Sequence, residues 1–285
     1  MTFTQAVLEF AFLQRALVTS VAVGIVAGVI GSFIVLRGLS LMGDAISHAV
    51  LPGVALSYML GINMFFGAVT TGLLTALGIG FVQQHTKLKN DAAIGIVFSA
   101  AFALGVILIT LARASANLNN VLFGNILAVP AEEMWLTIGV GAFVLLMVGL
   151  FYKQLVVTSF DPTMAAAYGI PNRVVHYGLM VLLTLVTVAA LQTVGIVLVV
   201  AMLITPAATA YLLVKRLAPM LWLSATFGVI AAVVGLYFSY EYNLPSGPVI
   251  VLALTAMFVL ALLFSPRDGQ LVKLVRKRRH AGGTP

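Results

Sequence analysis

Long apolar runs separated by short polar breaks follow one another along almost the whole chain. Runs able to span about 30 Å of hydrocarbon, at roughly 20 residues each, fall at 13–36, 42–60, 64–83, 92–112, 134–152, 174–191, 194–214, 219–239 and 247–265. The pattern predicts an all-α polytopic membrane protein with about nine transmembrane helices, or eight if a tight connection hides a broken or re-entrant segment. The connections from the second to the third run and from the sixth to the seventh are the tight ones. Residues 1–285 read as one transmembrane domain.

Within these runs some positions depart from plain hydrophobicity. Gly24, Gly28 and Ser32 recur every four residues in the first run, a small-residue stripe that lets another helix approach closely. Pro52 lies inside the second run, where a missing backbone donor kinks a helix. Met202, Thr205 and Pro206 fall in the seventh; local unwinding beside a cavity and kinked core packing explain them equally well. Residues 118–129 are too short to cross and predict a short helix at the outer face.

After the fifth run comes DPTMAAAYGIP, residues 161–171. Asp161 is placed to cap a helix whose first turn accepts Pro162, the alanines propagate it, and Gly169 stops it. A short apolar helix on the cytoplasmic side reads either as a knob for a socket on a cytoplasmic protein or as an interfacial connector.

Composition sharpens the picture. With 62% hydrophobic and 8% charged residues and a mean hydropathy of +1.14, the chain has too little polar surface to cover a soluble globule. The absence of cysteine removes disulfides and thiolate ligation. The first twelve residues hold Glu9 and no Lys or Arg, unlike a cleavable signal peptide, so the first run is expected to be retained.

The net charge of +7 sits in short loops and in the tail 266–285, which marks topology and not a nucleic-acid groove. With the N-terminus outside, Arg37, Lys87, Lys89, Lys153, Arg173, Lys215, Arg216, Arg267 and five tail residues lie inside, against Arg15 and Arg113 outside. Thirteen basic residues against two predict an external N-terminus and a cytoplasmic C-terminus. Glu9, Glu132, Glu133 and Glu241 then face outward and read as solvated loop residues, as His85, His176 and His280 read as surface residues.

Asp44 is the one acid placed within a predicted span, in GDAISHAVLPG, residues 43–53. Four residues separate it from His48, so on a helix both side chains share a face. Ionisable groups at membrane depth are costly and by default functional candidates. A convergent carboxylate and imidazole suit a divalent cation; the alternative is a mutual hydrogen bond that locks helix packing.

With these residues laid out, the sequence resembles the permease subunit of metal-ion ABC importers, the family that takes up manganese, zinc or iron. The likeness runs over VLRGLSLMGDAISHAVLPG (35–53), LFGNILAV (122–129), the 161–171 helix and AMLITPAATA (201–210), and is closest to the manganese-type members. It implies a type II importer permease in the bacterial plasma membrane, with a second permease subunit, identical or different. It also implies a cytoplasmic ABC ATPase dimer and an extracellular metal-binding protein. The transported ion, most often manganese with zinc or iron as alternatives, would be held by Asp44 and His48. No cofactor would be permanently bound. Residues 158–171 would form the ATPase-coupling helix, with Asp161, Ala165, Gly169 and Pro171 its marked positions.

A dimer axis with one Asp and one His from each subunit supplies two oxygen and two nitrogen ligands, a set that both manganese and zinc accept. The chain has no G-x-x-x-x-G-K-[ST] phosphate loop, so it is expected to be no enzyme itself and to draw energy from a partner. A secondary metal transporter is the competing reading, but usually couples through further buried acids. An intramembrane hydrolase built on Ser47, His48 and Asp44 fails because sequence neighbours on a helix point in different directions.

Overall fold

The computed structural model describes residues 3–112, 124 and 126–265. These fold almost entirely into helices: α1 (Phe3–Glu9), α2 (Ala11–Leu36), α3 (Leu41–Ala49), α4 (Leu51–Leu60), α5 (Met64–His85), α6 (Asn90–Leu111), α7 (Ala131–Leu150), α8 (Tyr152–Phe160), α9 (Pro162–Ala167), α10 (Asn172–Val194), α11 (Ile196–Leu213), α12 (Leu217–Tyr242) and α13 (Ser246–Phe264). Eight of them are long and apolar enough to cross a membrane, and they match eight of the nine predicted runs.

The second run, 42–60, is discontinuous. It forms α3 and α4, of 9 and 10 residues, joined at Val50. Pro52 falls at the start of α4 and brings no backbone N–H to the ladder, so the helix breaks where the preceding turn loses a donor. Together the two halves reach about 30 Å, enough to cross, while neither does so alone. The tight sixth-to-seventh connection is also resolved: α10 and α11 meet at the single residue Gly195.

α2 is the central column, packed against α7, α10, α11 and α12. Its small-residue stripe faces α12, where Ser224 Oγ donates to the Gly28 carbonyl at 2.8 Å. A Cβ on Gly28 would stand 2.8 Å from the Ser224 carbonyl oxygen, so only a small residue permits this approach. α4 and α5 meet in the same way, since a Cβ on Gly53 would lie 1.9 Å from the Gly67 carbonyl oxygen. Both contacts exchange side-chain bulk for backbone proximity, the means by which helices associate where lipid removes the hydrophobic drive.

One open reading is decided and one expectation is corrected. α11 passes uninterrupted through buried Met202 and Pro206, so the packing reading of that run holds and no unwinding occurs. Glu132 and Glu133 lie in the first turn of α7 and Glu241 in the last turn of α12, not in loops; the α7 pair sits where the helix dipole favours negative charge. The short outer helix expected over 118–129 lies mostly outside the described residues, of which 126–128 form a single 3-10 turn packed on α2. The tail 266–285 and His280 also lie outside them.

Candidate metal centre

α3 is wedged among α5, α6, α10 and α11. Met42, Ala45, Ile46 and Ala49 turn inward and are buried, which leaves Leu41, Asp44 and His48, at i, i+3 and i+7, along the remaining side. Asp44 and His48 keep 46% and 26% of their side-chain surface exposed. A carboxylate so open at mid-helix is not stable against hydrocarbon, so this stripe belongs against water or a second protein surface.

The two side chains do converge. His48 Nε2 stands 3.5 Å from Asp44 Oδ1. That is long for a hydrogen bond, whose heavy atoms sit at about 2.7–3.2 Å. It matches the separation of two ligand atoms that share a first-row metal ion, about 3.0–3.5 Å for bonds near 2.1 Å. The imidazole is further positioned by α6, with ring centroids 5.9 Å from Phe98 and 5.8 Å from Phe102. Sequence reasoning gave these phenylalanines no role, although their i, i+4 spacing was visible; what it lacked was the packing of α6 on α3.

Ser47 does not join the pair. It is buried, and its hydroxyl donates to the Gly43 carbonyl at 2.8 Å, which leaves no nucleophile beside His48. Among the described residues no group of three or more His, Asp or Glu could hold a metal ion. One chain therefore brings together only two side chains of ligand type here, fewer than a divalent ion takes.

In the 158–171 segment, residues 158–160 end α8 and Pro162–Ala167 form α9. Asp161 accepts from the Met164 amide at 2.9 Å and from the Thr163 hydroxyl, capping α9. These two donors, the hydroxyl first, hold its carboxyl below the usual carboxylate range. The cap is therefore complete at neutral pH and is lost only as pH falls through that lowered value. Ala165 is buried and its carbonyl accepts from the Ile170 amide at 3.0 Å. Gly169 has φ +74°, closing a left-handed helix end that suits glycine. Pro171 precedes α10 as its N-cap. Phe160, Met164 and Tyr168 are left exposed around the short helix.

Arg37, read from sequence only as a topology marker, ties this segment to α2. Its Nη2 donates to Thr158 Oγ1 at 2.7 Å and its Nε to Ser159 Oγ at 3.0 Å. His176, expected at the surface, instead lines a cleft with Arg37.

The model of the ABC 3 transport family matches residues 9–265. The manganese transport system membrane protein MntC of Listeria innocua is 62% identical over 95% of this chain and 97% of its own. The manganese import system permease protein ScaB of Streptococcus gordonii is 52% identical over 96% and 99%. Among solved structures, PsaBC from Streptococcus pneumoniae in complex with Fab superposes with TM-score 0.85 at 52% identity, covering 95% of this chain and 98% of that one. An inward-facing transporter described as metal-chelate type shares the fold at TM-score 0.70 and 17% identity. A helical bundle with one broken span and an Asp–His pair on it, matched nearly end to end by these proteins, belongs to the ABC 3 transport family.

Proposed function

We propose that this chain is the membrane permease subunit of an ATP-driven importer of divalent manganese in the bacterial plasma membrane. The observation that carries the reading is the Asp44–His48 pair, 3.5 Å apart and half open on the broken span. Two copies related by a two-fold axis would bring two carboxylates and two imidazoles around one ion, completing a set that a single chain leaves at two. The manganese transport named for MntC and ScaB supports manganese as the cargo, with a more distant relative from Haemophilus influenzae named as a probable iron transport protein at 39% identity.

Energy would come from a separate cytoplasmic ATPase dimer that seats residues 158–171 in a socket, with Asp161, Ala165, Gly169 and Pro171 shaping the knob. An extracellular metal-binding protein would deliver the ion at the opposite face. The break at Val50, two residues beyond His48, offers a hinge for opening and closing around the ion. The basic residues of the short connections favour an external N-terminus and a cytoplasmic C-terminus.

Metal identity is tested by equilibrating the purified complex against equal manganese, zinc and ferrous iron and measuring bound metal after removal of free ions. Manganese retained in the wild type and lost in Asp44→Asn is the expected result. Retention of the same metal by both proteins contradicts the reading.

A further inference from the structure

A cleft of about 380 Å³ opens at the same end of the bundle as residues 158–171. Its volume falls within the roughly 300–1,000 Å³ of small-molecule sites. Arg37 at the end of α2 and Arg173 and His176 in the first turns of α10 line it, and no carboxylate does. Among the described residues neither arginine has a carboxylate within 4.0 Å; the one carboxylate that close to a basic side chain is Asp44, beside His48. Arg37 donates to two neutral hydroxyls, which orient the guanidinium without neutralising it. Partly buried positive charge of this kind is costly until an anion meets it.

Two neutral groups that line the cleft are also incomplete. Gln83 Nε2 and Asn172 Oδ1 are shielded from solvent and have no hydrogen-bond partner, although buried polar atoms are nearly always paired. Asn172 is held by its other end, with Nδ2 donating to the Pro162 carbonyl at 2.6 Å. The cleft therefore presents the Arg173 fork and the part of the Arg37 guanidinium not given to Thr158 and Ser159, with an unpaired amide donor and an unpaired acceptor in its walls. A planar carboxylate answers only one such fork, whereas a tetrahedral oxyanion accepts from several sides at once. The N-terminus of α10 adds its dipole in the same sense.

We propose that this cleft binds a phosphate-class oxyanion that also carries a hydrogen-bond donor, the oxyanion meeting Arg37, Arg173 and Gln83 and the donor meeting Asn172. A phospholipid headgroup of the inner leaflet and free hydrogen phosphate both have this chemistry. The occupant bridges the end of α2 to the start of α10 directly behind Pro162, and so links the short α9 helix to the bundle. The site is distinct from Asp44 and His48 and does not rest on what they bind.

The test uses the full-length chain in lipid nanodiscs, free of nucleotide. In one arm, phosphatidylcholine discs are dialysed against radiolabelled orthophosphate. In the other, discs of mixed phosphatidylglycerol and phosphatidylcholine are analysed by native mass spectrometry for retained phosphatidylglycerol. Arg173→Gln removes an exposed side chain, and His176→Gln is a second variant that spares the Arg37 tether. Retention in either arm, weakened about tenfold by Arg173→Gln, is the expected result, and the arm that responds identifies the source. Equal retention by wild type and both variants, or none by any of them, overturns the proposal.

Discussion

Arg37 and Thr158 lie 121 residues apart in sequence and are joined by a 2.7 Å hydrogen bond, the guanidinium at the end of α2 donating to a hydroxyl two residues short of the end of α8. α2 is the column on which much of the bundle packs, and α8 leads directly into Asp161 and α9. The bond is thus a mechanical link between the core and the segment proposed to receive the ATPase.

Removing that link is expected to uncouple before it unfolds. Thr158 and Ser159 also donate to backbone carbonyls of their own helix, at Gln154 and Leu155, so Arg37→Met strands no hydroxyl. Loss of hydrogen bonds from a charged donor costs about 1.5–3 kcal/mol. The expected outcome is ATPase activity that persists while manganese uptake per assembled complex falls severalfold, read in proteoliposomes. Unchanged uptake would dismiss the link.

Gly169 tests the coupling role from the other side. No atom lies within 4 Å of a Cβ built there, so the cost of substitution is the left-handed backbone alone, about 1 kcal/mol or more for a residue other than Gly or Asn. Gly169→Asn should retain coupling, whereas Gly169→Val should distort the end of α9 and separate ATP hydrolysis from uptake with the permease still assembled. Equal behaviour of the two variants would count against the helix end as a working part.

Gly53 closes the motif that contains Asp44 and His48, and its place is set by α5. A Cβ there meets the Gly67 carbonyl at 1.9 Å, so Gly53→Ala forces α4 and α5 apart. Overpacking of this kind costs about 1–3 kcal/mol, and a lower melting temperature of the detergent-solubilised chain is the expected sign. A melting temperature equal to that of the wild type would show that the two helices tolerate separation.

Much of this was legible in the chain because membrane spans are local features. Eight spans follow from uninterrupted apolar length, the Gly24 to Ser32 stripe from its four-residue spacing, and the Asp44–His48 pair from one helical turn. The cap and stop of α9 were also visible, because Asp161 and Gly169 act on their own neighbours. What stayed hidden depends on contacts between distant segments. The aromatic wall of Phe98 and Phe102 lies on a different helix from His48, and Arg37 read only as a topology marker and His176 as a surface residue until the fold set them beside a cleft. The split of the second span was foreshadowed by Pro52, yet its position at Val50 depends on how α4 seats against α5 and α6.

Orientation in the membrane is an expectation from thirteen inward basic residues against two. The chain contains no cysteine, so single cysteines at Thr4 and Thr284 report cleanly. In intact cells a membrane-impermeant maleimide should label position 4 and spare position 284. The reverse pattern would invert the topology and, with it, the assignment of the cytoplasmic face.

Manganese uptake by single-site variants of Asp44 and His48 bears most directly on the proposed metal centre. If the two residues only bonded each other, replacing both with Asn would preserve a polar contact and much of the function. As ligands, each is lost on both sides of a symmetric pair, and Asp44→Asn also removes the negative charge that offsets a dehydrated dication. Uptake of radiolabelled manganese, normalised to assembled complex in the membrane, is expected to fall at least about a hundredfold in Asp44→Asn, to fall strongly in His48→Asn, and to leave assembly intact in both. Near-normal uptake in both single variants would contradict the assignment of Asp44 and His48 as the ion's ligands.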